Sequence, residues 1–455
     1  MNIEAIILAQ KKFFFTNKTK SVTFRISQLK KLKKVLKENE TILYNAIYKD
    51  LGKSEFETYT TELSLIYHEI NLALKKVKKW SKRKRVRTNF ANFPAKSFIL
   101  PEPLGNTLII APWNYPIQLV FSPAVASICA GNTVIIKPSE VTSNCSKVIA
   151  KIINENFDTN FLHVIEGDIK ETTELLNTKF DKIFFTGSTN VGRIVYQAAA
   201  KNLTPVILEL GGKSPTFILK DCNLKMTAKR LVWSKFLNAG QTCVAPDYIL
   251  VAKEIETEFL SAIKLEIEKN YPKNNIAENY NKIINLSHFN RLTELIPKEN
   301  IFFGGQFNKE KRFISPTILT NISFNDKIME SEIFGPILPV ITFDNLDKVI
   351  AEIKHRAKPL ACYIYSSNKK NVNKILHELS FGSGAINESV MQLSNSNLPF
   401  GGVGNSGMGS YHGEFGFKAF SHFKSILSKP TWLELNTKYA PYSKKKLGLL
   451  KRLLE

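Results

Sequence analysis

The sequence predicts an α/β protein built on two doubly wound parallel sheets, each flanked by helices. Short apolar, β-rich stretches alternate with helical ones from residue 107 to residue 208, and a second alternating set runs from Thr216 to about Ile386. Between the sets stands Gly211-Gly212, a natural hinge. The chain has 455 residues, 44% of them hydrophobic, which is enough for two or three domains with buried cores.

Residues 1–15 carry Glu4 inside their first apolar stretch and no small-residue cleavage signal after it, so no secretory peptide is expected. From Ser21 to about Trp80 apolar residues recur at helical spacing (Ile26, Leu29, Leu32, Val35, then Leu63, Ile66, Ile70, Leu74). This predicts long amphipathic helices in which no chemistry is visible. Strands are expected at 107–111, 133–137, 161–165, 182–185 and 205–208, with helices opening at Ile117, Thr142 and Val191. The most apolar stretch, 119–136, is interrupted by Ser122, Pro123, Ser127, Gly131, Asn132 and Thr133. It therefore reads as a core helix, a turn and a strand, not a membrane span. In the second set, strands are expected near 248–251, 337–343 and 361–365.

Lys and Arg total 63 against 40 for Asp and Glu, a net charge of +23 that is compatible with an anionic partner such as nucleic acid or a membrane. Much of the excess lies around Trp80 (Lys75, Lys76, Lys78, Lys79, Lys82, Arg83, Lys84, Arg85, Arg87) and at the C-terminus (Lys444 to Lys446, Lys451, Arg452). Charge runs of this kind are usually solvated surface, and no nucleic-acid partner is expected. The five cysteines show no paired spacing, which implies a reducing compartment and a cytoplasmic protein.

Several segments carry possible chemistry. Thr186-Gly187-Ser188-Thr189-Asn190-Val191-Gly192 follows a strand and opens a helix, so it is either a phosphate loop or a plain turn. Gly402-Val403-Gly404-Asn405-Ser406-Gly407 matches the dinucleotide pattern better but follows no hydrophobic strand, and reads as a structural loop, flexible and bordering the substrate entrance. Lys137-Pro138-Ser139-Glu140 closes a strand where a ribose would lie, or is a turn with a surface lysine. Gly240-Gln241-Thr242-Cys243 offers a nucleophile, although a lone cysteine is more often inert and buried. Cys129, Cys145, Cys222 and Cys362 take that inert reading. Glu209, ending an apolar strand at the domain junction, is a general base or a salt-bridge partner. Asn114, between Pro112 and Pro116, can donate to an oxyanion or simply belong to a turn.

Together these stretches, with Glu332-Ile333-Phe334-Gly335-Pro336 and Pro399-Phe400-Gly401-Gly402, resemble the aldehyde dehydrogenase superfamily, in order along nearly the whole chain. The short N-terminus and Gly409-Ser410-Tyr411-His412-Gly413 are most similar to its class 3 branch, which includes fatty and aromatic aldehyde dehydrogenases. The resemblance implies an NAD(P)-binding domain over 1–81 and 106–210 and a catalytic domain over 211–395. It further implies a small β bridging element from 82–105 and 396–435, with its C-terminal strand near 423–429, that makes a homodimer, and a basic tail over 436–455.

It also implies oxidation of medium- or long-chain aliphatic or aromatic aldehydes to acids. Cys243 would attack the aldehyde, Asn114 and the Cys243 N–H would hold the oxyanion, and Glu209 would activate water to hydrolyse a thioester. Glu332 is the rival base, because its family position lies near the nicotinamide ribose. Lys137 and Glu140 would hold the adenosine ribose, Gly187, Ser188 and Gly192 would border the pyrophosphate, and Phe334 would pack on the nicotinamide. Tyr115 and Trp233 would line an apolar funnel. Glu140 favours NAD on charge grounds, with NADP tolerated, and no metal is required. The tail lacks a long apolar anchor; a short basic helix at a membrane surface is weighed against a frayed end or dimer contact, and the latter are favoured. The rivals are a CoA-acylating relative, against which Glu209 argues, and a non-catalytic structural or nucleic-acid-binding protein, against which the set Asn114, Glu209 and Cys243 argues.

Overall fold

Five apolar runs, buried along their whole length, form the first sheet of the computed structural model, which describes residues 2–272, 276 and 280–454. Runs without a polar face are what a parallel sheet covered on both sides requires. The strand order is Gly407–Met408, Val206–Glu209, Lys182–Thr186, Asn106–Ile110, Thr133–Lys137, Leu162–Val164, all parallel except the first. Connections diverge on either side of Asn106–Ile110, which opens a crevice at the carboxyl ends of that strand and Lys182–Thr186.

The second sheet has seven strands in the order Ile301–Phe303, Thr317–Leu319, Ile337–Phe343, Tyr248–Ala252, Pro215–Ile218, Ala361–Tyr365, Ser383–Ile386. Only the short Ile301–Phe303 edge is antiparallel. The chain passes from the first sheet to the second through Leu210–Ser214, the segment that holds Gly211-Gly212.

The helical spacing before Trp80 is realised as Val22–Glu38, Glu40–Leu51, Glu55–Thr58 and Ser64–Trp80, with a widened π turn at Tyr59–Leu63. Residues 1–15, considered above only as a possible leader, form a helix, Ile3–Phe15, capped by the Asn2 side chain. Ile3 and Ile7 pack with Leu108, Ile135 and Ile183 on one face of the first sheet.

A third, antiparallel sheet joins Lys84–Val86, Lys96–Pro103 and Ser421–Ser428. Of residues 396–435, only Ser421–Ser428 enters it. Gly407–Met408 instead pairs with Val206–Glu209, and the helix Gly413–Ala419 packs on Gln118–Ala130. Glycine allows this: a β-carbon on Gly401, Gly402 or Gly407 would strike neighbouring backbone. Thus the stretch 402–407 is a loop packed closely against neighbouring backbone, and only at Gly407 does it enter the edge strand of the first sheet. The tail forms the helix Lys444–Leu454. Among the described residues no helix is long and apolar enough to cross a membrane.

Candidate active site

The segment before Cys243 is folded against backbone preference. Asn238, Ala239 and Gly240 have φ of 51°, 51° and 73°, a left-handed run in which two residues carry a β-carbon. Surrounding contacts hold it there. The Asn238 N–H donates to Glu57 Oε1 at 3.0 Å, and its side chain donates to Asn114 O at 2.9 Å. The buried Gln241 amide donates to Asn238 O at 3.0 Å and accepts from Ile284 N at 3.0 Å. At Gly240 a β-carbon would collide with Gly335 O, so the loops 238–243 and 332–336 close directly on each other.

This arrangement puts Cys243, partly exposed, on the wall of a cavity of about 730 Å³. Tyr115, Trp233, Leu237, Leu393 and Phe400 also line it. Tyr115 is buried, with its hydroxyl 2.6 Å from Thr242 Oγ1, whereas Trp233 is 40% exposed. Enclosure, and after it the Glu332 and Glu209 carboxylates, together push the Cys243 thiol up to about 12.

Asn114 follows the strand Asn106–Ile110 and is buried; its Nδ2 donates to Gln241 O at 3.0 Å. An amide nitrogen carries two hydrogens, so one is left for a second acceptor. Glu209 ends the strand Val206–Glu209 with both carboxylate oxygens buried and without a partner among the described residues. Burial holds its proton affinity well above the ordinary carboxylate range. Glu332 lies so close to Gly211 that a β-carbon there would strike its carboxylate. Burial, then Asp247, raises Glu332 to about 8, opposed by the Gly212 N–H, Lys213 and Arg291.

Lys137 ends its strand buried, and Nζ donates to Pro138 O at 2.8 Å and to Glu140 Oε2 at 3.2 Å; the Glu140 side chain is 47% exposed. Ser188 caps the helix Thr189–Ala200. The Gly187 N–H donates to Glu209 O and the Gly192 N–H to Ser188 O. Gly192 is buried, and a β-carbon on it would strike Leu210, so this glycine serves close helix–strand packing and has no free N–H to offer a pyrophosphate. With the Val191 N–H on the Ser188 side chain, the Thr189 and Asn190 N–H groups at the helix start are left to face an anion. Phe334 has φ of 52° and packs edge-on to Trp113 at 5.3 Å. An unpartnered, buried Thr186 Oγ1, those N–H groups and the Lys137–Glu140 pair all stand at or next to the carboxyl ends of the first sheet's strands. The set fits a nicotinamide dinucleotide. Among the described residues no cluster suits a metal.

Four residues of the site were not legible beforehand. Lys53, Glu57 and Glu62 come from the helical stretch that showed no chemistry, and Asn238 precedes the cysteine motif. The one available signal was three charged side chains within ten residues of an amphipathic pattern, which reads equally as a solvated face.

A doubly wound sheet with a crevice for a dinucleotide, joined to a second sheet that presents a cysteine to an apolar cavity, defines the class. The chain belongs to the aldehyde dehydrogenase family, whose pattern matches residues 1–426, and is an NAD(P)-dependent enzyme that oxidises aldehydes to carboxylic acids. It is 48% identical over 446 residues to the 4,4'-diaponeurosporen-aldehyde dehydrogenase of Staphylococcus aureus, with 97% of each chain covered. To aldehyde dehydrogenase family 3 member H1 of Arabidopsis thaliana it is 43% identical, over 96% of this chain and 92% of the relative. A structure described as the substrate-bound state of Staphylococcus aureus AldH superposes with a TM-score of 0.98 at 48% identity, covering 100% of both chains. A Mycobacterium tuberculosis aldehyde dehydrogenase complexed with NAD+ gives 0.81 at 26% identity, over 90% of this chain and 86% of that one.

Proposed function

We propose that Cys243 is the nucleophile, Asn114 the oxyanion donor and Glu209 the base for hydrolysis, acting on long or medium apolar aldehydes. The observation that carries this reading is a thiol facing an apolar cavity and sensing the charge of Glu209, a buried carboxylate without a hydrogen-bond partner among the described residues. The Cys243 sulfur gives up its proton to solvent water and adds to the carbonyl carbon. The oxygen that becomes an alkoxide takes the spare Asn114 amide hydrogen and the Cys243 N–H. Nicotinamide, when bound, accepts the hydride that leaves this carbon. A thioester on Cys243 remains. Glu209 takes a proton from water as its oxygen attacks the thioester, and the acid departs with the thiol restored.

Glu332 serves the ribose of the nicotinamide half, since the Gly212 N–H, Lys213 and Arg291 already engage it. Lys137 and Glu140 hold the adenosine ribose, and Ser188 with the following turn borders the pyrophosphate. Phe334, fixed against Trp113, packs on the nicotinamide side. NAD is preferred. The S. aureus relative is named for an aldehyde, 4,4'-diaponeurosporen-aldehyde, and the apolar walls here support a substrate of similarly low polarity. The exposed edge Ser421–Ser428, with Phe423, Ile426 and Leu427 at the surface, is the dimer contact.

NADH formation at 340 nm with hexanal, dodecanal and benzaldehyde tests the reading, comparing wild type with Cys243→Ala and Glu209→Gln, with and without CoA. Turnover without CoA, lost in Cys243→Ala and slowed at deacylation in Glu209→Gln, is expected. Turnover that requires CoA would instead place the enzyme in the acylating branch.

A further inference from the structure

We propose that Lys53 and Glu62 are a positioning pair for this reaction, holding the turn from which Asn114 projects. The inference rests on Asn114 being the oxyanion donor. Both side chains are 0% exposed, and Lys53 Nζ lies 2.7 Å from Glu62 Oε1. Two ions withdrawn from water are costly, and a pair used only for stability is often replaceable by apolar residues of the same volume. Here the remaining bonding capacity of both ions is spent on one short segment. Lys53 Nζ donates to Asn114 O at 3.4 Å and sits 4.2 Å from the centre of the Tyr115 ring. Glu62 Oε2 accepts from Ile117 N at 2.8 Å and Gln118 N at 3.1 Å, at the start of the helix Gln118–Ala130, whose N-terminus favours a carboxylate.

The segment 114–118 is therefore held at its start by the cation and at its end by the anion. Glu62 reaches it from the π turn Tyr59–Leu63, a geometry that recurs at functional sites because it displaces one residue from the regular helical face. Asn238 Nδ2 clamps the same Asn114 carbonyl from the other side, at 2.9 Å. With its peptide fixed twice, the Asn114 amide has a set direction, one hydrogen on Gln241 O and one free. Neither Lys53 nor Glu62 forms a hydrogen bond with residues 240–243 among the described residues. They meet that loop only through the segment they hold, by the Asn114 amide on Gln241 O and the Tyr115 hydroxyl on Thr242 Oγ1, so their influence falls first on the oxyanion donor and only indirectly on the thiol.

That division supplies the test. Aldehyde oxidation develops an oxyanion, whereas alkylation of Cys243 by iodoacetamide displaces iodide at a saturated carbon and develops none. The full-length enzyme and its Glu62→Gln, Lys53→Met and Asn114→Ala variants are assayed with NAD and dodecanal for kcat and KM, and without substrate for the alkylation rate. Glu62→Gln keeps an acceptor of the same shape and decides the matter if Lys53→Met does not fold. The expected result is a fall in kcat of about tenfold or more in Glu62→Gln and Lys53→Met, with KM and alkylation within about twofold of wild type. A double variant no worse than the worse single one would show that the two act as a unit. Wild-type kcat in both single variants, with Asn114→Ala impaired, overturns the inference alone. Loss of alkylation in step with kcat also overturns it, because the pair would then support the whole site. Wild-type kcat in Asn114→Ala overturns the oxyanion reading and the inference with it.

Discussion

Asn114 Nδ2 lies 3.0 Å from the carbonyl oxygen of Gln241, a bond that ties the turn after one strand of the first sheet to the loop two residues before Cys243. Asn238 Nδ2 on Asn114 O and the Tyr115 hydroxyl on Thr242 Oγ1 join the same turn to the same loop, but the direction of the second Asn114 hydrogen depends on the bond to Gln241. Removing the amide should remove stabilisation that exists only once the oxyanion forms.

Asn114→Ala is accordingly expected to lower kcat by roughly 10²–10³-fold, the range found when a single oxyanion donor is lost. KM should change little, because the ground-state carbonyl makes weaker use of the donor. A rise in KM with kcat preserved would assign Asn114 to substrate binding instead.

Glu332→Gln should make Cys243 more reactive. The Glu332 carboxylate is, after enclosure, the largest of the influences that together raise the thiol to about 12, so removing its negative charge lowers the proton affinity of the sulfur. Below the thiol's own value, each unit of lowering increases the thiolate fraction tenfold. Because Glu332 itself is raised to about 8, iodoacetamide alkylation should differ little between Glu332→Gln and wild type at pH 7, and should become progressively faster in the variant as pH rises to 9. Equal rates at pH 9 would mean that the two groups do not sense one another.

Glu209 trades stability for function. Its buried, unpartnered carboxyl binds its proton more tightly when folded than when unfolded, so the folded state holds more protons over the interval between the two values. Stability is then lost as pH rises above the ordinary carboxylate range of about 4.5 and through the raised folded value. Glu209→Gln removes this pH dependence. Differential scanning calorimetry should find the variant's Tm advantage over wild type larger at pH 8 than at pH 5, while thioester hydrolysis slows. An advantage independent of pH would show that burial does not disfavour the charged form at this position.

Much of the fold was legible because parallel strands buried on both faces leave uninterrupted apolar runs. Thr133–Lys137, Ile337–Phe343 and Ala361–Tyr365 were located to the residue. Short edges were missed: Ile301–Phe303 is apolar but only three residues long and partly exposed, and Ser383–Ile386 opens on Ser and Gly and carries no apolar run. Helix Ile169–Asn177 went unnoticed although Asp168 and Glu171 form a capping box at its start. In the site, Cys243, Glu209 and Asn114 were visible because each sits in a motif beside glycine or proline. Lys53, Glu57 and Glu62 were not, since their significance lies in contacts 50 or more residues away, such as the bond from the Ile117 N–H to Glu62 or from the Asn238 N–H to Glu57. Amphipathic periodicity reports which face of a helix is buried, but not which buried carboxylate will meet a distant backbone N–H.

Cofactor choice is predicted to turn on Glu140. Its half-exposed carboxylate is held 3.2 Å from Lys137 Nζ, so the lysine is already neutralised and the free edge of the carboxylate faces solvent where the adenosine ribose is proposed to lie. A 2′-hydroxyl there gains an acceptor, whereas a 2′-phosphate meets a like charge at a cost of about 1 kcal/mol or more in a well-hydrated setting. Glu140→Gln keeps an acceptor oxygen for the hydroxyl, removes the repulsion and releases Lys137 to attract phosphate. The ratio of kcat/KM for NADP to that for NAD should rise by about tenfold, mainly through a lower KM for NADP, and the gain should shrink as salt screens the site. An unchanged ratio would place the discrimination elsewhere and remove the charge argument for NAD.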